Sequence, residues 1–384
     1  MSKRGWWILG GVALLVFVGV PVASQVAAEN ILKGLEDQGF AEGGEARLLA
    51  DLERVKAAGI FAGRGTSSDA APTLNALIEV EGPMEGTTPA WWAGEDAFAA
   101  VDAFKGDGDP WLDRPEVTDG YDLTFIAGWR GFDHWTWDGA EPFTSSFKQN
   151  QFLCPMAVPI PHFLAFRSLA QVRLAQGWSQ GDIPGAAADA EHLAMLLAST
   201  DTLMGELIGV AILQMEDRVI KRALAEGKLT EAPPRTWTTE DLAVAKTALL
   251  AVAGVYETDP TGELAHTLNA RAHELPGVCA AIAESAVAGS LLHDPVSHHW
   301  PGEHDFRYLS VGMDDALATS GCEIPFARLA WTELDRGYGC FGENTGALDQ
   351  FLWMPYARST VVATIRSIAT ANYLGPYGKA PPAR

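Results

Sequence analysis

The chain has 384 residues, 27 basic and 49 acidic, with a formal net charge of −22 at pH 7. A field of that sign repels phosphate backbones, which excludes nucleic acid as a partner. Apolar residues make up 48% of the chain, which excludes wholesale disorder and leaves ample material for a buried core.

Trp6 to Ala23 is a run of 18 apolar or small residues without a charge, preceded by Lys3 and Arg4 and followed by the first acid at Glu29. As a helix it covers about 27 Å, close to the roughly 30 Å of bilayer hydrocarbon. The flanking charges put the N-terminus in the cytoplasm and the body outside it. The expectation is a single-pass inner-membrane protein, attached through residues 6–23, with a periplasmic body. Gly10, Gly11, Gly19 and Pro21 weaken the run as an anchor, and Val26-Ala27-Ala28 has the small residues of a signal-peptide cleavage site. Residues 1–28 are therefore a membrane anchor or a signal peptide. The uncleaved anchor is preferred, since the run exceeds the usual signal core and starts with Trp6-Trp7, suited to the interface. Without these residues the body carries 25 basic against 49 acidic side chains.

Residues 29–65 are polar and Gly-rich and read as a stalk with one short helix through Leu48, Leu52 and Val55. Residues 66–150 form an irregular, Trp-, Gly- and Pro-rich region, as in Pro89-Ala90-Trp91-Trp92, whose breakers exclude long helices.

Residues 151–384 read as an α-helical body. A helix from His162 to Gln176, with Phe163, Phe166, Ala170 and Leu174 on one face, is expected to stop at Gly177. A second has Asp182 as N-cap, Pro184 in its first turn and a stripe of Ala186, Ala190, Leu193 and Leu197. A third begins near Asp201, carries Ile208, Ala211, Met215 and Val219, and stops at Gly227; its Gly205 and Gly209 share a face where another backbone can approach. A fourth starts at Thr238, with Asp241 as capping-box partner, and repeats Leu242, Ala245, Leu249 and Val252 before Gly254. Further helices are expected at 260–274, 277–292, 308–319 and 356–374. The fold class is mainly α, built of stacked antiparallel helical hairpins, tetratricopeptide-like but without a strict repeat.

Four cysteines, without a Cys-x-x-Cys pair, permit two disulfides in an oxidising compartment. The pairing expected is Cys322 with Cys340, around a loop containing Gly337, Gly339 and Gly342. Between His293 and Asp305, His298, His299 and His304 are candidate ligands for a transition metal such as zinc, with Glu303 or Asp294 as general base. No His-Glu-x-x-His spacing supports them. Around Trp129 to Asp138, Asp133 or Asp138 could orient His134 as a base, and Trp129, Trp135 and Trp137 could stack on a sugar or peptide; core packing is the competing reading. Asp107-Gly108-Asp109 with Asp113 departs from the EF-hand template. The acid pairs Glu216-Asp217, Glu240-Asp241 and Asp314-Asp315 read as exposed faces or helix starts.

Three stretches, Phe132-Asp133-His134-Trp135, Arg173 to Gly177, and Ala190 to Ala194 leading to Leu207 to Ile212, resemble a group of uncharacterised bacterial envelope proteins over about residues 120–255. The resemblance implies one N-terminal membrane segment and a helical-hairpin body, and no activity. The leading expectation is a non-enzymatic, membrane-tethered scaffold or binding protein with an envelope protein partner and no cofactor. The alternative is a metal-dependent envelope hydrolase acting on glycan or peptide.

Overall fold

A computed structural model describes residues 39–61, 65–75, 110–113, 123, 125–137, 163–259, 261–290, 315–322 and 373–379. The run Trp6–Ala23, the histidine loop 293–305 with Asp294, His298, His299, Glu303 and His304, and Cys154 and Cys340 lie outside these residues. The described part is mainly helical, with no strand. Its helices are α1 (Gly44–Ala57), α2 (Ala71–Leu74), α3 (Ile126–Trp129), α4 (Phe163–Gln180), α5 (Ile183–Ala198), α6 (Leu203–Ala225), α7 (Thr239–Thr258), α8 (Glu263–Asn269) and α9 (Val278–Ser290). None of them is long and apolar enough to cross a membrane.

The helix ends follow their capping chemistry. The Asp182 carboxylate accepts from the Gly185 N–H at the start of α5, and Thr202 does the same for Gly205 at the start of α6. Thr238 and Asp241 exchange the two hydrogen bonds of a capping box on α7. Two glycines expected as helix ends lie inside helices instead. α4 runs through Gly177 to Gln180 and ends at Gly181, which has φ 78°. Gly177 lacks a Cβ because Ala186 and the Asp182 carbonyl, across the hairpin, occupy that space. Gly254 likewise sits within α7, where a Cβ would come within 2.9 Å of the Leu374 side chain.

α6 and α7 hold the described elements together. α6 packs on α4, α5, α7 and α9, while α7 packs on α1, α8, α9 and the turn at 375–377. Such a position requires burial around most of a helix, not along one stripe. Besides Ile208, Met215 and Val219, α6 buries Ile212, Leu213 and Ile220, and Ala211 is the expected stripe residue that is only half-buried. Glu216 and Asp217 are buried as well, against the expectation of an exposed acidic face. Glu240-Asp241 is a helix start, as expected.

α1 is part of this body. Leu48, Leu52 and Val55 are fully buried, and α1 lies against α7. Arg54 bridges to Asp241 at 2.6 Å and to Glu240 at 3.0 Å, and Lys56 reaches Glu274 at 3.3 Å. The Tyr377 hydroxyl donates to Asp51 at 2.7 Å, and Phe40 forms an antiparallel bridge with Gly378.

Cys322 is disulfide-bonded to Cys279, with Cα atoms 5.5 Å apart, and not to Cys340. Nearness in sequence favoured the wrong partner. The helical turn at 315–319 is brought beside α8 and α9, where His266 Nδ1 meets Asp315 at 3.3 Å and Gly321, at φ 71°, lies against His273. That contact delivers Cys322 to the first turn of α9.

Gly205 and Gly209 make the α5–α6 contact a backbone contact, as the shared face predicts: a Cβ at Gly205 would overlap the Leu197 carbonyl, and one at Gly209 would come within 2.9 Å of the Ala194 carbonyl. The Gly205→Ala variant should lose about 1–3 kcal/mol, since backbone cannot yield as a side-chain tip does. Urea unfolding would read this as a lower midpoint with an unchanged slope.

Candidate functional site

The segment 125–137 lies across α5 and α4. Its aromatic side supplies the adhesion: Trp135 is fully buried and Trp129 and Trp137 nearly so. Trp135 meets Phe163 and Phe166 of α4 with ring centroids 6.2 and 5.4 Å apart, and Trp129 meets Phe166 at 6.4 Å. All three indoles are thus occupied by core packing, the competing reading of the sequence. The Trp135 Nε1–H donates to Asn75 Oδ1 at 2.7 Å, the partner that a buried indole requires.

Polar groups on one face of α5 set the register of this segment. Residues 189, 192 and 199 are spaced to share a face at 3.6 residues per turn. Asp189, whose side chain is 1% exposed, receives Arg130 Nε and Arg173 Nε, each at 2.7 Å. Arg130 also donates to the Gly185 carbonyl at 2.7 Å, and Arg173 reaches Asp182 at 2.9 Å. His192 Nε2 lies 2.9 Å from the Trp129 carbonyl oxygen, which can only accept, so this nitrogen carries the proton. Burial pushes the His192 imidazole down, which favours its neutral form. Ser199 Oγ accepts from the Trp135 N–H at 2.7 Å and donates to the Leu196 carbonyl at 2.7 Å.

His134 and Asp133 sit at the outer edge of this segment. His134 Nδ1 is 2.7 Å from Asp133 Oδ1, the orientation expected of that pair, and its Nε2 is 3.8 Å from Asp69. Asp133 is also the acceptor for the Ser67 hydroxyl, the Ser67 N–H at 3.1 Å and the Ser68 N–H at 3.0 Å. The Ser67 hydroxyl hydrogen bond, then those from His134 and the Ser68 N–H, hold the Asp133 carboxyl well below the usual range. For Asp69, burial pushes the carboxyl up, but hydrogen bonds from the backbone N–H groups of Thr136 and Ala71 more than offset it and leave it lowered. Both carboxylates therefore tie strand-like backbone together: Asp69 and His134 form a parallel bridge, the Gly65 N–H donates to the Asp133 carbonyl, the Asp133 N–H to the Ser68 carbonyl and the Ala70 N–H to the His134 carbonyl. Ser67 commits its hydroxyl to Asp133 and is not aligned for attack through His134. The arrangement can orient an imidazole, and its geometry is that of a structural clasp.

Asp138 lies outside the described residues; Asp133 is seen beside His134. Among the described residues no group of three or more His, Cys, Asp or Glu side chains is placed to hold a metal ion. The residues that organise the site, Asp189, Arg130, Arg173, His192 and Ser199, carried no motif signal. Arg173 and His192 did fall within the short stretches that resemble envelope proteins. Gly177 packs at the α4–α5 turn against Asp182 and Ala186, whereas Trp135 lies at the open end of that hairpin, against Phe163, Phe166 and Ser199. Compared with known proteins, the chain matches no protein family, no curated protein and no solved structure.

Asp189→Ala leaves two guanidinium groups without their shared buried carboxylate and should cost about 3 kcal/mol of stability, read by chemical denaturation. At Asp133 a depressed carboxyl adds stability that is complete above the ordinary aspartate range and is lost as pH falls through its lowered value. Acidification from about pH 5 toward pH 2 should therefore release the amides of Gly65, Ser67 and Ser68 to hydrogen exchange, and Asp133→Asn should leave them equally unprotected at both ends of that range.

Proposed function

We propose that this chain is a membrane-tethered, extracytoplasmic helical scaffold that presents a tetratricopeptide-like stack of helical hairpins to a protein partner in the cell envelope. The observation that carries the reading is the use made of polar groups in the candidate site. Asp133, Asp69, His192 and Ser199 bind the chain's own backbone, and Asp189 binds its arginines. These contacts stiffen a helical surface, as a binding scaffold needs, and leave these polar groups engaged with the chain itself.

The packing order supports hairpin stacking: α4 touches α5 and α6, α5 touches α6, and α6 touches α7. Stacks of this kind create extended surfaces for partners. The charge-free run Trp6–Ala23 after Lys3 and Arg4 supports the tether, and a Cys279–Cys322 disulfide suits an oxidising compartment.

Mild detergent solubilisation followed by affinity capture of the full chain should recover a stoichiometric protein partner. Repeated recovery of the isolated monomer alone overturns the scaffold. In the same cells Cys279 and Cys322 should react with a maleimide only after reduction; labelling without reductant contradicts an exported body.

A further inference from the structure

Residues 315–322 lie beside α8 and the first turn of α9 and are fixed there at both ends. Asp315 meets His266 of α8 at 3.3 Å, Gly321 lies against His273, and Cys322 is bonded to Cys279, the second residue of α9. Between these points Ala316 is fully buried, and Leu317 and Ser320 are nearly so. The segment covers the surface to which its ends are tied.

The ties differ in strength. Leu317 is the one large apolar side chain among residues 315–322, and Ala316 adds a single methyl group. The His266–Asp315 pair joins side chains that are 58% and 38% exposed, so water and salt weaken it. The disulfide joins residues 43 apart in sequence, and a cross-link that closes a loop of that length removes much of the freedom that an undocked segment would have. The covalent bond is the principal tie. Its two sulfurs also differ in access: Cys322 is 1% exposed, whereas Cys279 is only half-buried. A thiolate attacks a disulfide from beyond the sulfur it bonds to, and access decides which sulfur that is. Cys279 is the one open to attack.

We propose that Cys279 and Cys322 form a redox-operated strap: the oxidised pair keeps residues 315–322 closed over α8 and the start of α9, and opening of the bond by a dithiol lets the segment lift and uncovers that surface. A thiolate of the dithiol bonds to Cys279 Sγ as the Cys279–Cys322 bond breaks, and Cys322 leaves as a thiolate that takes a proton from water. The second thiol of the dithiol then attacks its own mixed disulfide, and Cys279 leaves with the proton that this thiol gives up. Two electrons pass from the dithiol, which ends as a disulfide, to the cysteine pair; the reverse exchange with an oxidised dithiol closes the strap. The strap goes beyond the scaffold reading and does not depend on a partner.

The test is amide hydrogen exchange on the full chain in detergent micelles, oxidised and after dithiothreitol, with the state of each cysteine read by alkylation and mass spectrometry. The Ser320 N–H, bonded to the Ala316 carbonyl, and the Cys322 N–H, bonded to Ser320 Oγ, should lose at least about tenfold of their protection on reduction, while the amides of Ile212 and Leu213 in α6 keep theirs. Brief exposure to glutathione, stopped with acid, should place the mixed disulfide on Cys279. Cys279→Ser combined with Cys322→Ser should leave the two strap amides equally unprotected with and without dithiothreitol. Reduction that proceeds only when α6 also opens makes the bond a structural staple and overturns the strap. Reduction that leaves the two strap amides protected, glutathione found on Cys322, or a dithiothreitol effect that persists in the double variant overturns it as well. If the double variant does not fold, exchange of the natural chain in its two redox states decides.

Discussion

The constraint on which the candidate site depends is the burial of the Asp189 carboxylate in the α4–α5 hairpin. An ionised carboxylate removed from water is tolerated only with charged and hydrogen-bonding partners around it. Arg173 supplies one from within the hairpin, and Arg130 supplies the other from a segment with little regular structure of its own. Once Arg130 is fixed there, Trp129 lies over His192 and Trp135 over Ser199, and the register of the intervening residues follows. Asp133 and His134 then face outward, where they collect the 65–70 segment. Aromatic burial supplies adhesion without direction, and the polar face of α5 supplies the direction.

A second constraint concerns α6. Its contacts with four other helices call for close approach on one side, which Gly205 and Gly209 provide, and for apolar surface nearly all round. Two acids remain in that buried surface. Asp217 is well provided with donors and Glu216 is not, so a helix that is rigid where it meets α5 is electrostatically unbalanced where it meets the following connector.

Helix positions were legible because capping and periodicity are local. Asp182, Thr202, Thr238 and Asp241 bond to backbone within three residues of themselves, and the stripes of α5 and α7 repeat at helical spacing. Glycine was ambiguous for the opposite reason. Gly181 and Gly227 end helices through their own positive φ, whereas Gly177 and Gly254 are glycine because of what packs on them from elsewhere. No local pattern separates the two uses. The acid pairs show the same limit: Glu240-Asp241 and Glu216-Asp217 look alike in sequence, yet one starts a helix and the other lies under Arg235, 18 and 19 residues away along the chain.

By itself the sequence determined the mainly helical class, the caps and the apolar faces, and narrowed the partner of His134 to Asp133 or Asp138, all of which depend on residues close together along the chain. The tertiary structure decided which cysteine meets Cys322, that Asp189 and not His134 organises the candidate site, that the three tryptophans belong to the core, and that Glu216 is buried. Each of these depends on which surfaces meet across long stretches of chain, and burial changes the energetics of a charge or an indole far more than its immediate neighbours do.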